Sequence, residues 1–305
     1  MQRSRLLELS LDELDQLSFE DSWTLGDFIT SACLLEAAAP KAGNVHPTAS
    51  FDDMNYEDFR QSARTIGSVF DHTDNEGVGR LILEAVQATR KEIGKNTNLG
   101  IILLMVPLAV SLKQNSSNNK RDFLEGWKDA LAATLKSLTE DDSIAVYEAI
   151  AIAKPGGIRR VSEMDIQEKP PARLLDAMQL AAKWDDIAKQ YATNFSDIFD
   201  LSLQLDECRK HLRQGWFDAL VSIQVDRLAS HGDSLIARKN APATVEQVQH
   251  LANSVVQNPA LTRHLAWQQL DNYLRFDGHR RNPGTTADML AAATFVSLLV
   301  EYNTR

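Results

Sequence analysis

Apolar positions recur along most of this chain at intervals of three and four, the spacing of one face of an α-helix. No run alternates apolar and polar residues as a half-buried strand would. The pattern predicts a helix from about Leu25 to Ala39, with Leu25, Phe28, Ile29, Ala32 and Ala39 along one stripe. A second is expected to start after Asp142 or Ser143, acting as N-cap, and to stop at Lys154-Pro155-Gly156-Gly157, which cannot continue a helix well. A longer one is expected from about Ala172 to Phe195, with Leu174, Met178, Ala181 and Ala188 inward. Thr244 with Gln247, and Thr285 with Asp288, have capping-box spacing before further helices. The polar run Lys113 to Lys120 reads as a surface loop, and residues 1 to about 20 as a peripheral acidic extension. The expected fold class is all-α: a single helical domain over residues 21–305, with any active site in a cleft between helices.

Composition narrows the function. The 305 residues are 44% hydrophobic and 24% charged, ordinary for a globular protein. A net charge of −10 with no basic block disfavours a nucleic-acid partner. Anionic small molecules remain open, since a few local cations or a bound metal override the overall field. Cys33 and Cys208 have no metal or redox spacing, which suggests a reducing compartment. The longest apolar stretch, Leu99 to Leu112, contains Pro107 and falls short of the roughly 20 residues of a spanning helix. With no secretory pattern at the start, a cytoplasmic protein without a membrane partner is expected.

Polar clusters interrupt the apolar pattern at predicted helix boundaries. Glu36 lies four residues after Ala32 and seven after Ile29, so a carboxylate falls on the apolar stripe. Buried there, it needs a cation, a metal or hydrogen bonds; an ion pair with Lys41 and a place in a site are about equally compatible with the spacing. Gly43 and Asn44 suit a turn, and His46 a satisfied loop histidine. Asn96-Thr97-Asn98-Leu99-Gly100 suits an N-cap, or an amide surface for a nucleotide. Lys154-Pro155-Gly156-Gly157-Ile158-Arg159-Arg160 joins glycines that admit phosphate oxygens to three cations, although it is not a Walker loop. Asp185 follows Ala181 and Met178 at inward spacing, whereas Asp186 points about 100 degrees away and reads as solvated. Asp233 could cap a helix that carries Arg238 and Lys239 on its solvated face. Asp288 either completes a cap with Thr285 or shares a face with Ala292, Phe295 and Leu299. His279-Arg280-Arg281 adds positive charge near that helix start, a reasonable setting for phosphate.

Taken in order, these segments resemble the triphosphoribosyl-dephospho-CoA synthase family. The closest stretch is Ala32-Cys33-Leu34-Leu35-Glu36 through Lys41-Ala42-Gly43-Asn44-Val45-His46. Asn96 to Gly100, Pro155-Gly156-Gly157 with Asp165, and Asp185-Asp186-Ile187-Ala188-Lys189-Gln190-Tyr191 follow. Asp233 to Lys239 and Asn282-Pro283-Gly284-Thr285-Thr286-Ala287-Asp288 complete the set, over about residues 25 to 300. The chain departs from the family at Ala42, where proline is usual, at Trp184, where a basic residue is common, and at His231-Gly232, where a proline is commoner.

The resemblance implies that ATP loses adenine and passes its 5-triphosphoribosyl group to the ribose 2′-hydroxyl of 3′-dephospho-CoA. Such a reaction wants a carboxylate near a ribosyl cation, a proton acceptor and donor, and a triphosphate site. Glu36 or Asp185 is expected to meet the cation, and His46 to move a proton. Asp233 or Asp288 is expected to hold Mg²⁺. Lys41, Arg238 and Lys239 are expected on phosphate, and Gly43, Asn44, Asn96, Asn98, Gly156, Gly157, Asn282, Thr285 and Thr286 on the substrates. The departures leave open a related transferase acting on another cofactor precursor, or a noncatalytic nucleotide-binding helical protein.

Overall fold

The structure, a computed structural model, describes residues 2–18, 23–72, 77–112, 119–157, 163–210 and 215–304. Among them the chain forms sixteen helices and no strand. They are α1 (Gln2–Glu8), α2 (Leu11–Asp15), α3 (Leu25–Ala38), α4 (Tyr56–His72), α5 (Val78–Ile93), α6 (Leu99–Leu112), α7 (Lys120–Lys136) and α8 (Glu140–Ala153). The second half supplies α9 (Leu174–Ala181), α10 (Asp186–Ala192), α11 (Ser196–Lys210), α12 (Trp216–Ser230) and α13 (Ser234–Lys239). It ends with α14 (Pro242–Gln257), α15 (Ala260–Arg275) and α16 (Gly284–Asn303). The expected all-α domain is therefore what the chain builds. No helix among the described residues is long and apolar enough to cross a membrane.

Three helices are buried on nearly every side. In α3, α6 and α16 almost every residue is buried, and their apolar content is not confined to a stripe. The α16 helix packs on α3, α6 and α11, and amphipathic α4, α5 and α7 wrap the outside. Pro107 sits inside α6 and has no N–H to give to the carbonyl four residues earlier, Leu103. The buried Tyr191 hydroxyl donates to that carbonyl at 2.7 Å, which repairs the ladder and ties α10 to the central helix. A smaller core of Val225, Leu228, Ile236, Val248, Leu270 and Leu274 holds α12 to α15 together.

Several predicted boundaries move. The helix expected from Ala172 to Phe195 is two, because the chain turns after Ala182 and Asp185, extended at φ −131°, caps a new start. The cap of α8 is Thr139, with Asp142 completing the box, rather than Asp142 or Ser143 themselves. Thr244 lies within α14, which begins with Pro242 at its first turn. Residues 113–118 of the expected loop, and Arg159 with Arg160, lie outside the described residues. The N-terminal segment is packed: Leu6, Leu14 and Leu17 join the main core, and Asp15 accepts the Phe217 N–H at 2.6 Å.

Candidate functional site

The α3 helix ends at Ala38, and the chain folds back so that Lys41, 0% exposed, covers the helix end. Its ammonium lies 2.9 Å from Glu36 Oε1 and donates to the Glu36 and Ala39 carbonyls, which have no intrahelical partner. The next residues are held from outside. Gln224 on α12 accepts the Ala42 N–H and donates to the Ala42 carbonyl, both at 2.9 Å, and to Asn44 Oδ1 at 2.7 Å. Proline at 42 would have no N–H for this clamp, so alanine and Gln224 fit together. Asp271 accepts the Gly43 N–H, and Arg275 donates to the Asn44 carbonyl. Asn44 Nδ2 donates to Asn282 Oδ1 at 2.7 Å, which joins this loop to the start of α16. His46 contacts Thr48 at 3.2 Å, and burial, with Arg275 and Lys41 next, holds its imidazole down at about 4. It is a neutral, buried ring.

Opposite stand three aspartates, two of them helix N-caps and the third facing the start of α6, where backbone N–H groups and the helix dipole favour an anion. Asp185 Oδ1 accepts from Ile187 and Ala188 on α10, and its other oxygen is ion-paired to Arg238. Asp233 Oδ1 accepts from Leu235 and Ile236 on α13; Oδ2 accepts the Thr286 N–H and hydroxyl on α16, at 2.7 and 2.8 Å. Burial pushes the Asp233 carboxyl up, and these donors pull it back. Asp288 is different. It takes a backbone hydrogen bond from Ile101 near the start of α6, and Gly100, having no β-carbon, lets the carboxylate lie against that turn. Burial, with the Glu36 and Asp233 charges next, holds the Asp288 carboxyl well above the usual carboxylate range, although part of the residue opens to the cavity.

That cavity, of about 640 Å³, lies between these groups, a size that suits a nucleotide. Glu36, Asn44, Asp185, Asn282, Thr285 and Asp288 all line it, as do Asn96, Gly156, Arg238 and Lys239. Asn96 also accepts the Leu99 N–H at 3.2 Å, so the capping and lining readings hold together. Other expected contacts lie outside its lining: Lys41 and His46 as described, Gly43, Asp233 and Thr286 in the junctions around it, and Asn98 turned to Ser62 at 2.7 Å. Gly157 packs behind Lys239 and Arg238, which glycine permits at φ +79°. Three cations that face the cavity, Arg90, Lys154 and Lys239, have no ion-pair partner among the described residues. Burial lowers Lys239 from its ordinary value. Lys154 belongs to the glycine-and-cation segment already read as able to meet phosphate, whereas Arg90 lies in the last turn of α5, where solvated cations are common, so spacing alone did not single it out. At another edge His279 lies 3.3 Å from Asp53 and edge-on to Phe51, near Met54 and Phe59.

No group of three or more His, Cys, Asp or Glu among the described residues could hold a metal ion by itself. Magnesium on a nucleotide needs less, because one or two carboxylates act with substrate phosphates and water. Glu36 and Asp288, which share the cavity and repel each other, fit that demand; Asp233, with both oxygens engaged, does not. A second cavity of about 690 Å³ lies behind Asp185 and Arg238, and Trp184, Asp186 and His231 are in its wall. Asp186 is not freely solvated: it stands 3.7 Å from the buried Arg227.

Comparison with known proteins agrees with this architecture. A crystal structure from Archaeoglobus fulgidus, described as a "putative triphosphoribosyl-dephospho-coA synthase", superposes with a TM-score of 0.60 at 23% identity. The match covers 78% of this chain and 97% of that one, and it shows a shared fold. No curated protein gives a significant match. The family model described as ATP:dephospho-CoA triphosphoribosyl transferase matches residues 22–305, and the chain belongs to that family of transferases.

Proposed function

We propose that this protein transfers the 5-triphosphoribosyl group of ATP to the ribose 2′-hydroxyl of 3′-dephospho-CoA and releases adenine. The observation that carries the reading is one cavity holding both demands of the reaction: cations without protein partners, and carboxylates beside them. Lys239, Lys154 and Arg90 bind the triphosphate, helped by the N-terminus of α6. Glu36 and Asp288 would hold the Mg²⁺ of the nucleotide, which supplies charge neutralisation at the phosphates. Lys41 fixes Glu36 from behind through their ion pair. Asn44 and Asn282, braced against each other, orient the ribose.

The acceptor oxygen bonds to carbon 1 of the donor ribose as the carbon–nitrogen bond to adenine breaks, and the bonding pair leaves with adenine. Positive charge grows on the ribose during that step, and Asp185 is the anion that meets it. Adenine fits the edge lined by Phe51, Met54 and Phe59, where His279, oriented by Asp53, gives the departing base a proton. The phosphoanhydrides stay intact, so no kinase machinery is needed. Incubation with ATP, Mg²⁺ and 3′-dephospho-CoA, followed by mass spectrometry, should yield adenine and the triphosphoribosyl adduct in equal amounts. Stoichiometric ADP or AMP in place of adenine would replace this reading with phosphoryl or nucleotidyl transfer.

A further inference from the structure

Two cavities of similar size meet at one side-chain pair. The first holds the cations and carboxylates assigned above to ATP. The second, about 690 Å³, is bounded by the turn between α9 and α10 and by α13. Ile166, Ala181, Asp185 and Arg238 belong to both walls, and Asp185 is the one carboxylate shared among the described lining residues. The second cavity also has the features of a nucleotide site. Trp184 is 40% exposed and lines it, while the bulk of the other tryptophans is turned inward. Lys183, beside it, has no ion-pair partner among the described residues, whereas the other acids of the wall are engaged, Asp165 by the Gln167 N–H, Asp186 by Arg227 and Asp233 by α13 and Thr286. An open indole next to cations is the arrangement on which a purine stacks and a pyrophosphate settles.

We infer that the second cavity binds the acceptor nucleotide, 3′-dephospho-CoA, and that Asp185 is the catalytic base where the two substrates meet. This rests on the transfer reading above. The acceptor adenine lies on Trp184, its pyrophosphate meets Lys183 and Arg238, and its ribose hydroxyl meets carbon 1 of the donor beside Asp185, where the two walls join. Asp185 meets the growing positive charge on the donor ribose first, takes the hydroxyl proton late, as the new carbon–oxygen bond closes, and releases it to solvent after the products leave. The adenine that departs from the donor takes a proton in the first cavity, so protons and charge balance. Arg238 holds the carboxylate between the cavities through their ion pair.

Calorimetric titration of the full chain with Mg²⁺–ATP and, separately, with 3′-dephospho-CoA tests this, alongside turnover and melting. Ala237 lines the second cavity from the exposed side of α13, so Ala237→Trp fills it without entering the core. It should weaken 3′-dephospho-CoA at least tenfold and ATP less than twofold. Trp184→Ala should weaken 3′-dephospho-CoA by about tenfold through lost stacking. Lys239→Met should do the reverse and weaken ATP alone. Asp185→Asn keeps an oxygen that can cap α10, so both affinities should stay within about twofold while turnover falls roughly 100-fold or more. If the wild type makes the adduct but Ala237→Trp and Trp184→Ala bind the acceptor normally, the cavity assignment fails and the transfer reading stands. If it makes no adduct and binds no 3′-dephospho-CoA, both fail.

Discussion

The junction around Asp233 and the cavity face around Asp288 lie at the same helix start, yet they hold opposite kinds of carboxylate. Asp233 reaches Thr286, two residues before Asp288, and each of its oxygens accepts two hydrogen bonds. It caps α13 and ties that helix to α16. Asp288 has one backbone donor and two negative neighbours, Glu36 and Asp233, whose effect outweighs that of the positive Arg238. Both are acids in the same pair of sequence segments, so residue type does not separate them. Donors do. A carboxylate saturated by backbone N–H groups is part of the scaffold, whereas one left short of donors is held there against its own solvation and is available to a ligand.

The same substitution at both positions should therefore give opposite results. Asp288→Asn removes a charge that burial and its negative neighbours disfavour, and turnover should fall by about 100-fold or more. Magnesium dependence should weaken with it. Folding should gain, because active-site carboxylates are held at the expense of stability. The pH dependence has a definite sign. The folded Asp288 carboxyl binds its proton more tightly than the unfolded one, whose ordinary value is 3.8. Stability therefore falls as pH rises from near 4 through the raised folded value, and stays lower above it. Melting curves should show the gain from Asp288→Asn to be largest at the alkaline end and smallest near pH 4. A variant with wild-type turnover would move Asp288 into the scaffold beside Asp233.

Asp233→Asn should cost stability instead. An amide offers one acceptor oxygen, and its NH₂ would face either the α13 N–H groups or the Thr286 N–H, leaving a buried donor without a partner. The loss should be about 2–4 kcal/mol, several degrees in melting temperature for a chain of this size. Protein that remains folded should turn over within a fewfold of wild type. Loss of activity with an unchanged melting temperature would make Asp233 a ligand residue and erase the contrast.

Much of this was legible in the chain and some was not, for physical reasons. The inward position of Glu36 followed from its spacing after Ile29 and Ala32, because α3 runs unbroken through all three. Asp185 was placed inward by the same rule and belongs to a cap, because the turn after Ala182 resets the helical phase. An aspartate before Asp-Ile-Ala is as good a cap as a continuing residue, and period alone cannot tell them apart. Lys41 looked like a phosphate ligand because loop cations usually face solvent; its 0% exposure comes from the carbonyls at the end of α3, a tertiary detail. The convergence of α6, α10, α13 and α16 on one cavity depends on long-range packing that no local pattern encodes.

The mildest test concerns how firmly the open face holds its cation. A β-carbon on Gly156 would stand 3.0 Å from Lys239 Cε and 3.4 Å from its Nζ, so the flexible end of that side chain must shift by a few tenths of an ångström. Gly156 is not in the left-handed region, unlike Gly157 at φ +79°, so alanine enters at 156 without backbone strain. Gly156→Ala should leave stability unchanged or raise it by up to about 1 kcal/mol, through the stiffer unfolded chain. The displaced ammonium would still reach a triphosphate, but less well, so KM for ATP should rise about two- to threefold with kcat unchanged. Gly157→Ala is the control: its left-handed backbone should cost about 1–2 kcal/mol, and its β-carbon would press on Lys239 Cγ, nearer the fixed end of the chain. If Gly156→Ala changes kcat and leaves KM alone, Lys239 acts at the reacting ribose rather than on the phosphates, and the division of labour between cations and carboxylates must be redrawn.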